Sequence, residues 1–237
     1  QGRNVLFISL EMTRRAIAPR LLSLVNYSKS RIPYRNIITG EYDSFHRDDL
    51  NESLEEIKSL PLDIQYKRGL TATEITSLIR KKQFEKQKDG QLLDLVIIDH
   101  LHEVETPSGF ERDPTLATSR SIKVIYDAAG NLNVPIMLGA QINRGVTTRE
   151  DKRPQMSDLQ QSGKIEQASD IITLLYRGHY YESRKTVPDE MAVQQAQIVE
   201  ACKNVTEVLV RKLRQGDPRD VNLYNDIACN IIRNKEA

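Results

Sequence analysis

The stretch Leu92-Leu93-Asp94-Leu95-Val96-Ile97-Ile98-Asp99-His100 decides how this chain is read. It is a short, almost continuous apolar run, preceded by Lys88-Asp89-Gly90 and closed by a carboxylate. A Val- and Ile-rich run of this length predicts a strand buried on both faces, as in a parallel sheet. An acidic residue at the carboxyl end of such a strand stands where open α/β sheets bind ligands. In nucleotide-hydrolysing sheets a carboxylate at that point holds magnesium. The competing reading is a core strand whose terminal Asp caps the next loop, and the run alone leaves both open.

Working outward, 237 residues are enough for one large α/β domain with a substantial core. A formal charge of +1 gives no global basic field, so any nucleic-acid contact has to be local. Cys202 and Cys229 have neither metal-like nor redox-like spacing and fit a reducing cytosol, hence a cytoplasmic protein. No apolar run approaches the roughly 20 residues that span a bilayer, and no secretory signal opens the sequence. The chain starts at Gln1 and enters the strand-like run Val5-Leu6-Phe7-Ile8 almost at once. The expectation is a domain that begins upstream, because a buried end strand needs neighbours to cover it.

Periodicity predicts the remaining elements. Strands are expected at Val5 to Ser9, Leu62 to Tyr66, Val134 to Gln141 and Asp170 to Tyr176. Helices are expected over Thr13 to Tyr27, Arg47 to Leu60, Leu116 to Leu132 and Glu190 to Lys203. Another runs from a capping box at Thr71 and Glu74 to about Lys86. Residues 143–156, charged and without apolar period, read as a mobile loop. Val205 to Leu213 and Asp220 to Tyr224 form a closing hairpin around Gln215-Gly216-Asp217-Pro218. Alternating strands and helices give an α/β fold, a mostly parallel sheet flanked by helices and ending in an antiparallel hairpin. No repeat or domain boundary shows, so residues 1–237 read as a single domain.

Polar groups collect at the predicted strand ends: Glu11, Asp99, Gln141 and, less clearly, Arg177. In a parallel sheet all carboxyl ends lie on one edge, so these side chains converge on one crevice. The set suits phosphoryl chemistry. One carboxylate activates water, another holds the metal, and an amide senses the γ-phosphate.

On these residues the chain resembles the DnaB-type replicative DNA helicases, in their RecA-like motor domain. The resemblance runs from Asn4 to about Tyr181 and resumes near Val208. It is carried by Phe7-Ile8-Ser9-Leu10-Glu11-Met12, Val96-Ile97-Ile98-Asp99 and Gln141-Ile142-Asn143-Arg144. The most specific block is Asp151-Lys152-Arg153-Pro154 through Ser157-Asp158-Leu159, Ser162-Gly163, Ile165-Glu166-Gln167 and Leu175-Tyr176-Arg177. The resemblance implies ATP-driven 5′–3′ DNA unwinding by a homo-oligomeric, hexameric ring that uses ATP and Mg2+. Single-stranded DNA, primase and a helicase loader are the implied partners. Glu11 matches the water-activating carboxylate, Asp99 the Walker B aspartate on magnesium, and Gln141 the glutamine that couples γ-phosphate to DNA. Lys212 and Arg214 match the Lys-x-Arg pair that reaches a neighbouring subunit's nucleotide, where a planar guanidinium suits developing phosphate charge. Without the resemblance those two cations read as solvated charge on an edge strand. Gln160, Gln161, Gly163 and Lys164 fall in the matching channel loop for single-stranded DNA.

The chain departs from that pattern at four places. Gln160-Gln161 replace the usual Arg-Glu, which weakens the phosphate contact unless Lys164 compensates. His100 and His102 replace the usual Tyr and Gln after the Walker B aspartate. Residues 188–204 are longer than the family's connection and read as an insertion. No G-x-x-x-x-G-K-[ST] loop occurs in the sequence, and the family's N-terminal helical domain and linker have no counterpart either. Two alternatives follow. Asp99-His100-Leu101-His102-Glu103 is dense enough in ligand types for a metallohydrolase. A motor domain without its phosphate loop is, in the other, an inactive paralogue or a regulator of a helicase.

Overall fold

The computed structural model describes residues 2–110, 112–159 and 162–235. In chain order the elements are β1 (Val5–Ser9), α1 (Arg14–Val25), α2 (Tyr34–Thr39), α3 (Arg47–Ser59), β2 (Leu62–Tyr66), α4 (Ala72–Lys88), β3 (Leu95–Asp99) and α5 (Pro114–Leu132). They continue with β4 (Ile136–Leu138), α6 (Ser162–Ala168), β5 (Ile171–Tyr176), α7 (Gly178–Glu182), α8 (Ala192–Ala201), β6 (Val205–Leu213), β7 (Asp220–Asp226) and β8 (Ile231–Asn234). The chain divides into two compact units. The first holds Gln1–Ala18, Lys58–Asn143 and Leu159–Ser169, and the second Pro19–Ile57, Arg144–Asp158 and Asp170–Ala237.

In the first unit four strands run parallel in the order β2-β1-β3-β4. The apolar run is β3, and Asp99 closes it opposite Ser9 of β1. Leu6, Ile8, Val96 and Ile98 are fully buried together with Ile75 and Ile79 of α4. Each such side chain contributes about 1.5–3 kcal/mol by leaving water. The other face of β3 is half-buried, so the expectation of burial on both faces holds fully for one. Thr71 starts α4 with both halves of its capping box, Thr71 Oγ1 accepting from the Glu74 N–H and Glu74 accepting from the Thr71 N–H. Lys86 and Lys88 at the other end suit the negative pole of the helix. β4 is shorter than expected and ends the sheet; Met137 on it is 60% exposed. A strand with a neighbour on one side only is not buried like a central one.

The second unit carries an antiparallel sheet in the order β5-β6-β7-β8. The expected hairpin is its β6–β7 pair, and β8 extends it. β5 alternates exposed and buried residues, with Ile172, Leu174 and Tyr176 inside. That alternation is the mark of an antiparallel sheet with one open face. β5 pairs with β6 and not with the parallel strands, which corrects the placing of Arg177 on the parallel sheet's edge. Residues 144–158 are knitted together rather than loose. Arg149 grips both carboxylate oxygens of Asp158 at 3.1 and 2.7 Å and also donates to the Arg153 carbonyl. Residues 188–204, read as an insertion, carry α8 behind a short 3-10 turn at Asp189–Met191.

Candidate active site

Parallel pairing brings the carboxyl ends of β1, β3 and β4 to one edge of the first unit. The Leu10 N–H donates to the Asp99 carbonyl at 2.8 Å, which extends the β1–β3 pairing past the strands and fixes where Glu11 leaves the sheet. Ser9 Oγ accepts from the Met12 N–H at 3.0 Å, turning the chain sharply there. On the other side the Gly139 N–H donates to the Ile98 carbonyl and the Leu101 N–H to the Gly139 carbonyl, both at 2.9 Å. A Cβ at Gly139 would lie 3.2 Å from His100 Cβ, tighter than side chains normally pack. Glycine lets β4 come this near.

Within this frame Glu11, His100, His102 and Gln141 meet. Glu11 Oε2 lies 3.4 Å from His100 Nε2, with the Glu11 side chain 55% exposed. The same His100 Nε2 lies 3.1 Å from the Gln141 side-chain amide. The Gln141 backbone N–H donates to His102 Nδ1 at 3.3 Å. Burial, with His100 alongside, pushes the His102 pKa below the usual histidine range. A neutral ring is what an accepting Nδ1 requires. Asp99, at the end of β3, is half-buried, and its carboxylate makes no ion pair among the described residues. The Asp99–His100 peptide is cis.

The remaining expected residues lie elsewhere. Lys212 is on β6 opposite Ile172 in the second unit. Arg214 follows β6; its guanidinium lies 2.8 Å from Asp170 Oδ1, and its N–H donates to the Asp170 carbonyl at 2.9 Å. Gly163 and Lys164 are exposed in the first turn of α6, in the first unit, and a Cβ at Gly163 would meet no described neighbour within 4 Å. Gln160 and Gln161 lie outside the described residues. Among the described residues no three His, Cys, Asp or Glu side chains are grouped to hold a metal, and His100 and His102 aim ring nitrogens at Glu11 and Gln141. That arrangement gives the metallohydrolase alternative no ligand set. No helix of the described residues is long and apolar enough to cross a membrane.

The sequence model of the DnaB-like helicase C-terminal domain matches residues 1–232. The chain belongs to this family. Among its curated DnaB-type relatives, the probable replicative DNA helicase of Trieres chinensis is 30% identical over 94% of this chain and 44% of its own length. The replicative DNA helicase DnaC of Bacillus subtilis is 28% identical over 93% of this chain and 43% of its own. This DnaB-like chain therefore spans a little under half of those relatives. Two solved structures share its fold with a TM-score of 0.82. The ATPase domain of G40P is 27% identical, covering 99% of this chain and 75% of its own. A DnaB-like replicative helicase, solved for its interactions with primase, is 28% identical over 99% of this chain and 51% of its own. The RecA-like fold class expected of a DnaB-type motor is thereby borne out, parallel sheet and antiparallel strands together.

Proposed function

We propose that this chain is the RecA-like motor domain, over residues 1–237, of a ring-forming replicative helicase that unwinds DNA 5′–3′ by hydrolysing ATP with Mg2+. The observation that carries the reading is the meeting of Glu11, Asp99 and Gln141 at one edge of a parallel sheet. Glu11, half-exposed and facing the crevice edge, is assigned to take the proton from the attacking water. Asp99 fits a magnesium ion that keeps most of its shell as water and phosphate, since it is a half-buried carboxylate that no protein cation neutralises among the described residues. Gln141, on a segment pinned to β3 through Gly139, is assigned to sense the γ-phosphate. Bound magnesium-ATP supplies the phosphoryl group whose transfer to water drives the motor. The sequence holds no Gly-rich phosphate loop, and no step is assigned to such a loop in these residues.

Lys212 and Arg214 are assigned to the nucleotide of a neighbouring copy, as a finger that neutralises developing charge. Gln160, Gln161, Gly163 and Lys164 are assigned to single-stranded DNA in the channel of a hexamer. Primase and a helicase loader are the proposed protein partners, and the cytoplasm the proposed location. Strand displacement by the full-length protein tests the reading. A forked duplex with a 5′ tail is expected to be opened with ATP and Mg2+. Failure to open it, or opening without nucleotide, overturns the proposal.

A further inference from the structure

The two histidines that replace the family's Tyr and Gln are placed to act on Gln141 from two sides. We propose that His102 anchors the Gln141 backbone, while His100 passes a single hydrogen bond between the Gln141 side chain and Glu11. His100 is thus a positioning residue that aims the water-activating carboxylate according to the state of the sensor. This rests on the roles proposed above for Glu11 and Gln141.

His100 is 7% exposed, and its Nδ1 is buried with no partner among the described residues. Nε2 faces two partners and Nδ1 none, so a proton on Nε2 is bonded where one on Nδ1 is not. His102 has no such choice, since its Nδ1 accepts from Gln141 and its proton sits on an Nε2 with no partner among the described residues. The His100 ring proton therefore belongs on Nε2, the nitrogen that faces both partners. Glu11 Oε2 accepts directly. Gln141 accepts once its amide is turned over, which exchanges oxygen and nitrogen at the same site. One N–H makes one good bond, so His100 serves one partner at a time. At 3.1 Å the Gln141 contact is within hydrogen-bond length, and the Glu11 contact at 3.4 Å is outside it. When the Gln141 side chain turns toward a phosphate, Nε2–H is released and Glu11 is the acceptor at hand. The His102 bond to the Gln141 backbone N–H keeps that turn a side-chain movement. No proton leaves the ring in this exchange. Only its acceptor changes.

Gln and Asn distinguish this role from packing, because a Gln amide reaches the position of Nε2 and an Asn amide only that of Nδ1. In the full-length protein His100→Phe is expected to lower kcat about tenfold, a part of the 10²–10⁴ that general-base catalysis supplies, with KM for ATP unchanged within about twofold. His100→Gln should recover most of the rate and His100→Asn should not. Phe at wild-type rate, or Asn equal to Gln, overturns the inference. A solid-state 15N spectrum of histidine-labelled wild-type protein, with the His100 signal assigned by its loss in His100→Gln, reads the tautomer without any turnover. Protonated Nε2 is expected, and protonated Nδ1 overturns the inference. Glu11→Gln is run alongside. If that variant still hydrolyses ATP, the proposed role of Glu11 fails; if it is dead while His100→Phe is unaffected, only the handover fails.

Discussion

In the first unit the buried polar side chains gather at strand ends: Asn4 before β1, Ser9 closing it, and His100 just past β3, with Ser121 on α5 the exception. Between those ends Leu6, Ile8, Val96 and Ile98 are aliphatic and fully buried. In the second unit buried polar groups are spread over several elements: Ser23 in α1, Asn26 just after it, Ser53 in α3, Thr206 near the start of β6 and Asn225 near the end of β7. Asn225 of β7 donates to Thr206 Oγ1 of β6 at 2.9 Å. Asn26, Ser23 and Ser53 are fully buried, with Ser23 bonded to the Ile32 carbonyl at 2.6 Å. A parallel sheet wants apolar strands, so a polar residue at its carboxyl edge stands out and points to chemistry. In the antiparallel sheet the buried polar residues bond to each other across neighbouring strands, and there they hold the structure together.

The largest expected effect tests the chemistry assigned to the second unit. Arg214→Ala in the full-length protein should lower ATP turnover by about 10³-fold or more, the scale of an arginine finger. Folding should be little affected, because the Arg214–Asp170 pair is half-exposed and such pairs contribute at most about 1 kcal/mol. Mixing Arg214→Ala with Glu11→Gln subunits should restore part of the rate if the finger acts on a neighbour. No rescue in mixed rings contradicts that assignment.

Stability comes next. Ile75→Ala opens the aliphatic core of the first unit and should cost about 2–5 kcal/mol, read as lost hydrogen-exchange protection in β1 and β3. Asn225→Ala should cost about 1–3 kcal/mol by leaving Thr206 Oγ1 without its donor, with protection lost in β6 and β7. Equal losses in both sheets from either variant would break the contrast between the two units.

The smallest effect is one of pH. Burial pushes the Asp63 carboxyl up, but the Lys82 ammonium 2.7 Å away and the Gln65 amide outweigh it and hold the pKa below the usual carboxylate range. A depressed carboxylate stabilises the fold above its unfolded pKa of about 3.9 and loses that contribution as pH falls through the lower folded value. Lys82→Met should flatten this acid limb of β2 and α4 protection. An unchanged limb would show that the pair contributes nothing.

Much of the first unit was legible because its signals are local. Val96 to Asp99 read as a strand ending in a carboxylate and Thr71 and Glu74 as a helix start, and both stand there; Gln141, read as a third strand end, lies three residues past the end of β4. Placing β5 needed a partner far along the chain. Ile171 to Leu175 reads alike in either kind of sheet, and its pairing with Val208–Leu213 is made across residues 177–204, a separation that periodicity does not see. The short α2, α7 and β8 escaped for lack of length. His100 and His102 were visible as departures from a family pattern. Their bearing on Gln141 was not, because it depends on the approach that Gly139 allows.

The measurement that bears most directly on the parallel-sheet edge is ATP turnover by full-length Glu11→Gln beside the wild type, with nucleotide binding followed in the same samples. Loss of turnover by about 10²-fold or more, with binding retained, is the expected result for removal of the general base. Turnover at the wild-type rate would remove Glu11 from the chemistry and leave Asp99 and Gln141 without the group they were placed beside.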